Sequence, residues 1–204
     1  MGKTIDKNYV LLAEQEQLFV KRVVYLMRAH SPRPWWRMFI PFAFLLEYFA
    51  RKKDVRTFAK AHLHLKEAAL EAAYQEAASG RPEKNDSTLQ ARISDYLTHM
   101  QDIQSPELYD RLYAWAALLK DHYARMLPVQ EKFYNLVLQN AYPSGGEYKR
   151  FLQELADAEN GIDQLVLAAR KDKEQAGIII ANKQKAFQQV REREIREAFG
   201  SEWV

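Results

Sequence analysis

The strongest constraint on the fold is a spacing of three or four residues between apolar side chains, which recurs along most of the chain. An α-helix produces this period because its side chains return to one face every 3.6 residues. The glycines and prolines, seven of each in 204 residues, cluster where the period breaks. The pattern therefore predicts an all-α fold: a single helical bundle of six or seven helices with a long charged C-terminal helix.

The breaks in the pattern bound the first helices. The first helix is predicted over Asp6–Ala29, with Glu16 as the one weak step in its apolar stripe, and two prolines follow it. The most helix-prone part of the chain is Val55–Ala78, which is rich in alanine. Gly80–Ser87 is predicted to be a loop, because it combines glycine, proline and capping residues.

The second half of the chain contains clear helix starts and stops. Ser105 is a capping residue followed by a proline and a glutamate, which predicts the start of a helix. Pro128 ends or kinks that helix. A shorter helix is predicted over Val129–Asn140, and Tyr142–Gly146 is predicted to be a turn. Helical periodicity resumes at Glu147 and continues, with high charge density, toward the end of the chain.

The composition favours one globular unit. Hydrophobic residues make up 48% of the chain and charged residues 28%, values typical of a packed domain. Residues 1–204 are therefore predicted to form a single all-helical domain. Residues 170–204 carry only a narrow apolar stripe, so we expect them to form an extended helix that docks on the bundle or self-associates.

One segment, Pro34–Lys53, differs from the rest of the chain because it is dense in aromatic and apolar residues. Its longest run without a charge, Met38–Leu46, is shorter than the about 20 apolar residues that a membrane-spanning helix needs, and Pro41 interrupts it. One interpretation is a helix buried at the centre of the bundle. The other is an exposed contact segment for a membrane surface or a partner protein. The predicted contact residues are Trp35, Trp36, Arg37, Phe39, Phe42, Arg51, Lys52, Lys53 and Arg56.

The charge is distributed unevenly around this segment. Residues 21–66 contain eleven lysines and arginines against two acidic residues, whereas the other 158 residues contain 19 basic and 25 acidic ones. Such asymmetry indicates an anionic partner. The alternative is that these basic residues pair with acidic helices of the same bundle. A single-stranded nucleic acid could also use the basic region 21–66 with its aromatic residues, but the apolar density of Met38–Leu46 fits lipid or protein better.

The chain contains no recognisable catalytic motif. It has no cysteine, no glycine-rich phosphate loop and no G-x-S-x-G elbow. No catalytic residue and no cofactor are therefore predicted, and the balance leans away from an enzyme. The best candidate for a metal or acid–base site is Asp95, His99 and Asp102, which share one helical face, although a solvated face explains them equally well. His62 could line a pocket or be a hydrogen-bonded core residue.

Two functional hypotheses follow. The first is a non-enzymatic interaction protein, self-associating or bound to a protein partner, that uses the aromatic-basic segment 34–56 against that partner or an anionic membrane surface. The second is a helical-bundle enzyme or small-ligand protein with a site near His62 or Asp95. The N-terminal residues carry charge throughout and lack the apolar core of a secretory signal. We therefore expect a cytoplasmic protein, peripheral to the inner face of a membrane where it contacts one.

Overall fold

The predicted all-α fold is confirmed. A computed structural model describes residues 2–29, 62–79, 82–99 and 105–203, and within these ranges there are seven α-helices and no β-strand. The helices are α1 (Gly2–Ala29), α2 (residues 62–79), α3 (Pro82–His99), α4 (Pro106–Met126), α5 (Tyr134–Ala141), α6 (Gly145–Ala169) and α7 (Lys173–Phe199), followed by a short 3₁₀ helix (Ser201–Trp203).

Most of the predicted starts and stops are confirmed. Ser105 caps α4 by accepting a hydrogen bond from the Leu108 amide at 3.1 Å. Helix α4 ends at Met126, two residues before Pro128. At this end the Asn8 side-chain amide lies within hydrogen-bond distance of the carbonyl oxygens of Met126 and Leu127. Asn8 is buried because it satisfies backbone groups that the end of the helix leaves without partners.

Two predicted loops are shorter than expected, and one predicted helix is too long. The loop prediction for Gly80–Ser87 is wrong beyond residue 81, since α3 begins at Pro82, and proline suits the first turn of a helix. The turn before α6 ends at Ser144, which caps α6 through the Glu147 amide at 3.2 Å. By contrast, α5 begins only at Tyr134, because the backbone after Pro128 does not return at once to a helical path.

The C-terminal region is a helical hairpin. The two helices are separated by residues 170–172. The Asp172 side chain caps α7 by accepting a hydrogen bond from the Gln175 amide at 3.0 Å. Gly161 and Gly177 lie inside α6 and α7 and do not interrupt them. The predicted long charged C-terminal helix is therefore α7, which packs against α1, α5 and α6.

Contacts between helices give their directions. On α1 and α2, Lys66 meets Glu16 and the Tyr9 hydroxyl donates to Glu71, so the two helices are antiparallel. Helix α7 is antiparallel to α6 through the hairpin. It is also antiparallel to α1, because the Phe19 and Phe187 rings lie 5.4 Å apart while Glu16 and Glu194 line one cavity.

These directions define two ends of the bundle. The end at which α1 and α6 finish (Ala29 and Ala169) and α7 begins (Lys173) is called the basal end. The apical end is the one at which α6 begins (Gly145) and α7 finishes (Phe199). Apically, the 3₁₀ helix closes over the start of α6, where a Cβ atom on Gly145 would lie 2.6 Å from Trp203 Cγ.

Buried apolar side chains from all seven described helices fill the bundle. The main core includes small residues of α2, such as Ala69 and Ala73, and large residues of α4, such as Trp115 and Leu119. A smaller apolar cluster joins α1 to α7 nearer the basal end, with Val23 and Phe187 among its members. Among the described helices, none combines the length and the hydropathy that crossing a membrane requires.

Candidate functional site

A small polar cavity lies inside the bundle, between α1, α2, α4, α5, α6 and α7. Its volume is about 30 Å³, and since one buried water needs roughly 10–15 Å³, it has room for two or three water molecules. Its charged and polar walls come from six helices. The residues that line it are Gln15, Glu16, Phe19, Lys66, Leu119, His122, Tyr134, Tyr148, Phe151, Leu152, Leu155, Arg191 and Glu194.

Glu16 and Lys66 form a buried ion pair on one side of the cavity. The Lys66 ammonium donates to Glu16 Oε2 at 2.6 Å, and the Tyr123 hydroxyl donates to Glu16 Oε1 at 2.7 Å. The ammonium also lies 4.0 Å from the centre of the Phe19 ring, a cation–π geometry. A charged lysine is therefore tolerated in the core because two negative surfaces, a carboxylate and a ring face, enclose it.

Glu194 lies on the opposite side, held by two phenols. The Tyr134 hydroxyl donates to Oε1 at 2.6 Å and the Tyr148 hydroxyl donates to Oε2 at 2.5 Å. Burial raises the pKa of Glu194 above its ordinary value, and the nearby Glu16 charge adds to this rise, whereas the two phenolic hydrogen bonds oppose it. No described cation forms a direct ion pair with it, so this carboxyl group binds a proton more readily than an exposed glutamate does.

His122 lies between the cavity and a stack of aromatic rings. Its Nδ1 is 2.7 Å from the Tyr142 hydroxyl, and its ring lies parallel to the Phe151 ring at 4.5 Å. Burial lowers the pKa of His122 to about 3, and the charges of Lys66 and Arg125 contribute. The imidazole is therefore neutral at physiological pH and acts as a packed hydrogen-bonding group.

Arg191 is directed away from Glu194 into a network of its own. Its guanidinium donates to Glu159 Oε1 at 2.8 Å, and the Trp115 indole donates to the same oxygen at 3.2 Å. Nearer the basal end, Lys183 pairs with Asp163. These two ion pairs join α6 to α7 at two heights along the hairpin and fix the register of the two helices.

The chemistry open to this cavity is limited by its size and by its internal bonding. Each oxygen of Glu16 and of Glu194 already accepts a short hydrogen bond from the chain. A space for a few waters does not admit a metabolite-sized substrate. The cavity has room for water beside a glutamate of raised pKa, and its main effect is to specify how six helices meet.

Of the residues predicted to form a metal, acid–base or ligand site, the structure describes the side chains of His62 and Asp95. His62 is a core residue, with its ring 5.4 Å from that of Trp115 and 5.1 Å from that of Phe187, and burial holds its pKa well below the ordinary value. Asp95 is exposed on α3. The His99 side chain and Asp102 lie outside the described residues. Within the described ranges, no group of three or more histidines and carboxylates is arranged to hold a metal.

The predicted interaction residues also fall outside the described part of the chain. This applies to the whole set: Trp35, Trp36, Arg37, Phe39, Phe42, Arg51, Lys52, Lys53 and Arg56. The structure describes the helices on either side of that segment, α1 before it and α2 after it. Ala29 ends α1 at the basal end, and residue 62 of the antiparallel α2 lies roughly level with residue 20 of α1, about three turns away. Both connections to the segment are therefore in the basal half of the bundle.

The cavity residues were not predicted from the sequence. Glu16 gave the clearest signal, as a charged residue that interrupts the apolar stripe of α1. His122 follows an aspartate and shows no motif, and Glu194 stands in the charge-dense run RERE. No family model, no curated protein and no solved structure matches this chain.

Proposed function

We propose that this chain is a non-enzymatic interaction protein whose helical bundle presents the aromatic-basic segment 34–56 to an anionic membrane surface or to a partner protein. A cytoplasmic location, peripheral to the inner face of a membrane, follows from the same proposal. The observation that carries it is the contrast between a described core whose polar groups bond to each other and a basic region whose two described flanks both lie in the basal half of the bundle.

The bundle core supports a scaffold better than a catalyst. A catalyst needs a space for its substrate and a group that is free to react with it. The carboxylates of the cavity accept hydrogen bonds from Lys66 and from three tyrosines, and the space beside them is water-sized. Among the described residues, this cavity therefore offers the enzyme alternative no substrate-sized space.

The charge pattern supports an anionic partner. Among the basic residues of region 21–66 whose side chains the structure describes, Lys66 has an acidic partner within the bundle, Glu16. Lys21, at the other boundary of that region, is exposed on α1. A segment rich in tryptophan, phenylalanine and basic residues suits the head-group region of an anionic bilayer, where aromatic rings and cations are both favoured.

Tryptophan emission during vesicle titration tests the proposal. We expect a blue shift with anionic vesicles but not with neutral ones, and we expect salt to weaken it because screening reduces the attraction between the basic segment and the lipid. The Trp35→Ala/Trp36→Ala variant should lose both the shift and co-sedimentation with vesicles.

Trp203→Phe is the matched control, since it removes an indole at the apical end and should leave binding unchanged. The proposal would be contradicted if the emission does not change with lipid and the Trp35→Ala/Trp36→Ala variant keeps both the sedimentation and the oligomeric state of the native protein. A change of oligomeric state without lipid binding would assign the segment to a protein contact.

A second candidate function, small-ligand or metal binding in the bundle, is favoured by Glu194, a carboxyl group of raised pKa beside a cavity. Metal analysis of the purified protein tests it. A stoichiometric metal that Glu194→Gln removes would place the site in the cavity, whereas one that Asp95→Ala/His99→Ala removes would place it on α3.

A further inference from the structure

We propose that the basal end of α1 and α7 is a second membrane contact, so that the bundle stands end-on against an anionic bilayer with α7 starting at the lipid surface. This inference rests on the proposed function and commits it to one partner, an anionic lipid surface. The contact consists of Tyr25 on α1, Ile178 and Ile179 on α7, and the basic residues around them.

Exposed apolar side chains mark this end. Tyr25 is 72% exposed, and the neighbouring isoleucines Ile178 and Ile179 are 51% and 44% exposed. A Cβ atom added to Gly177 would meet nothing within 4 Å, so this turn of α7 has open space beside it. Two adjacent β-branched apolar residues with half of their surface in water are unfavourable unless that surface is covered in the working state.

These residues lie at a similar height along the bundle. Because Phe19 contacts Phe187 and the helices are antiparallel, Tyr25 on α1 is roughly level with residue 181 of α7. Ile178 and Ile179 lie a further two or three residues toward the basal end, about 3–5 Å along the axis. Both helices therefore offer apolar groups within one helical turn of each other in height.

The charge around them is complementary to an anionic surface. Residues 170–185 carry five basic and two acidic side chains, and residues 18–29 carry three basic side chains and no acidic one. Of the other acids near this end, Asp163 is paired with Lys183 and Glu107 with Arg111, whereas Asp110 is exposed on α4. Basic side chains near an anionic bilayer attract it within about a Debye length, and half-exposed apolar residues then insert at the interface.

This end is also continuous with the predicted contact segment. Residues 30–61 connect α1, which ends at Ala29, to α2, whose described part begins in the same half of the bundle. An end-on orientation would bring the basal ends of α1 and α7 to one surface, at the end of the bundle from which the chain enters residues 30–61.

Vesicle co-sedimentation of surface variants tests the contact. Ile178→Ser/Ile179→Ser should weaken the partition coefficient on anionic vesicles by about 30-fold, roughly five-fold for each isoleucine, because about half of each side chain is available for burial. Lys171→Gln/Lys173→Gln should weaken it by a similar factor at low salt, about five-fold for each charge. Both pairs lie on the exposed surface, so circular dichroism should remain native.

Matched controls exist at the apical side of the chain. Phe133→Ser/Leu136→Ser removes two exposed apolar residues there, and Lys149→Gln/Arg150→Gln removes two exposed basic residues at the start of α6. Both controls should bind vesicles as the native protein does. Equal losses in control and test variants would show general surface adhesion and overturn the inference.

A direct reading of depth is possible because the chain has no cysteine. Ile178→Cys and, as control, Phe133→Cys can each be labelled uniquely with an environment-sensitive dye. We expect the dye at position 178 to gain emission with anionic vesicles and to be quenched by lipid-borne quenchers, and the dye at position 133 to show neither effect.

The outcomes separate this inference from the proposed function. If native protein binds vesicles and loses binding in Trp35→Ala/Trp36→Ala but not in the α7 variants, the proposed function stands and the basal contact is wrong. If the native protein binds no vesicles, both are wrong in their membrane form. If Ile178→Ser/Ile179→Ser instead dissociates an oligomer, this end is a contact between copies of the chain and the inference is overturned.

Discussion

Replacement of His122 should change the pH dependence of stability in a way that no simple loss of packing would produce. In the folded protein burial lowers the pKa of this imidazole to about 3, whereas in the unfolded chain it titrates near its ordinary 6.5. A group whose folded pKa is depressed contributes stability that is fully present above the unfolded pKa and is lost as the pH falls. The relevant window therefore runs from about pH 6.5 down to about pH 3.

The size of the effect follows from linkage. Between pH 7.5 and pH 5 the unfolded imidazole takes up a proton while the folded one does not, which costs about 2 kcal/mol of unfolding free energy. His122→Phe keeps a flat ring to stack on Phe151 but loses the contact with the Tyr142 hydroxyl, at a cost of about 1 kcal/mol. The variant should therefore be less stable than the native protein at pH 7.5 and more stable by about 1 kcal/mol at pH 5.

Urea unfolding at pH 5, 6 and 7.5 measures this crossing. Tyr142→Phe is the control, because it removes the same hydrogen bond and leaves the imidazole in place, so its curve should run parallel to that of the native protein. A free-energy difference between His122→Phe and native protein that does not change with pH would show that His122 is not buried in its neutral form, and the reasoning would fail.

Four further substitutions probe the other polar and backbone features. Lys66→Met should cost about 3 kcal/mol in urea unfolding because it leaves Glu16 buried without its cation, and Lys66→Met/Glu16→Gln should recover at least half of that loss. A raised carboxyl pKa gives stability that is present at low pH and lost above the folded pKa. Between pH 4.5 and pH 8 the free energy of unfolding should therefore fall by less in Glu194→Gln than in the native protein. Gly177→Ala should raise the free energy of unfolding by about 0.5–1 kcal/mol, because the new methyl group meets open space inside a helix. Gly145→Ala should lower it by about 1–3 kcal/mol through the clash with Trp203, and thermal melts of Gly145→Ala in a Trp203→Ala background should show a smaller loss.

The fold was accessible from the sequence because local signals agree with the final packing. The capped start at Ser105 and the stop before Pro128 bound α4, and both rest on backbone chemistry within a few residues. The start of α3 was misplaced because the polar residues after Pro82 favour a turn and the first turn of a helix equally. Tertiary contacts decide such cases, and they are not visible in a single stretch of sequence.

The polar cavity was less accessible because its members are far apart in the sequence. Glu16 and Glu194 come from opposite ends of the chain, and only the antiparallel packing of α1 on α7 brings them to one cavity. Glu194 lies four residues after Val190 and four before Ala198, both buried, so its place on the apolar stripe of α7 was the available signal. In a run as charged as RERE, a solvated surface is the more common arrangement, and the spacing alone does not distinguish the two.

The position of the polar groups within the bundle connects the core to the proposed surface. Hydrophobic packing alone permits α1, α6 and α7 to slide by a turn, whereas Glu16, Glu159 and Glu194 each have partners on other helices at fixed heights. These bonds fix which residues of α1 and α7 reach the basal end together. If the basal end contacts a bilayer, a one-turn slip would move Ile178 about 5 Å relative to Tyr25 and divide the contact. On this reasoning Glu159→Gln breaks a pair that fixes the register but leaves the basal surface unchanged. The variant should bind vesicles more weakly because the hairpin is looser. If it binds vesicles as well as the native protein does, at the same helicity, the register of α7 has no part in the contact.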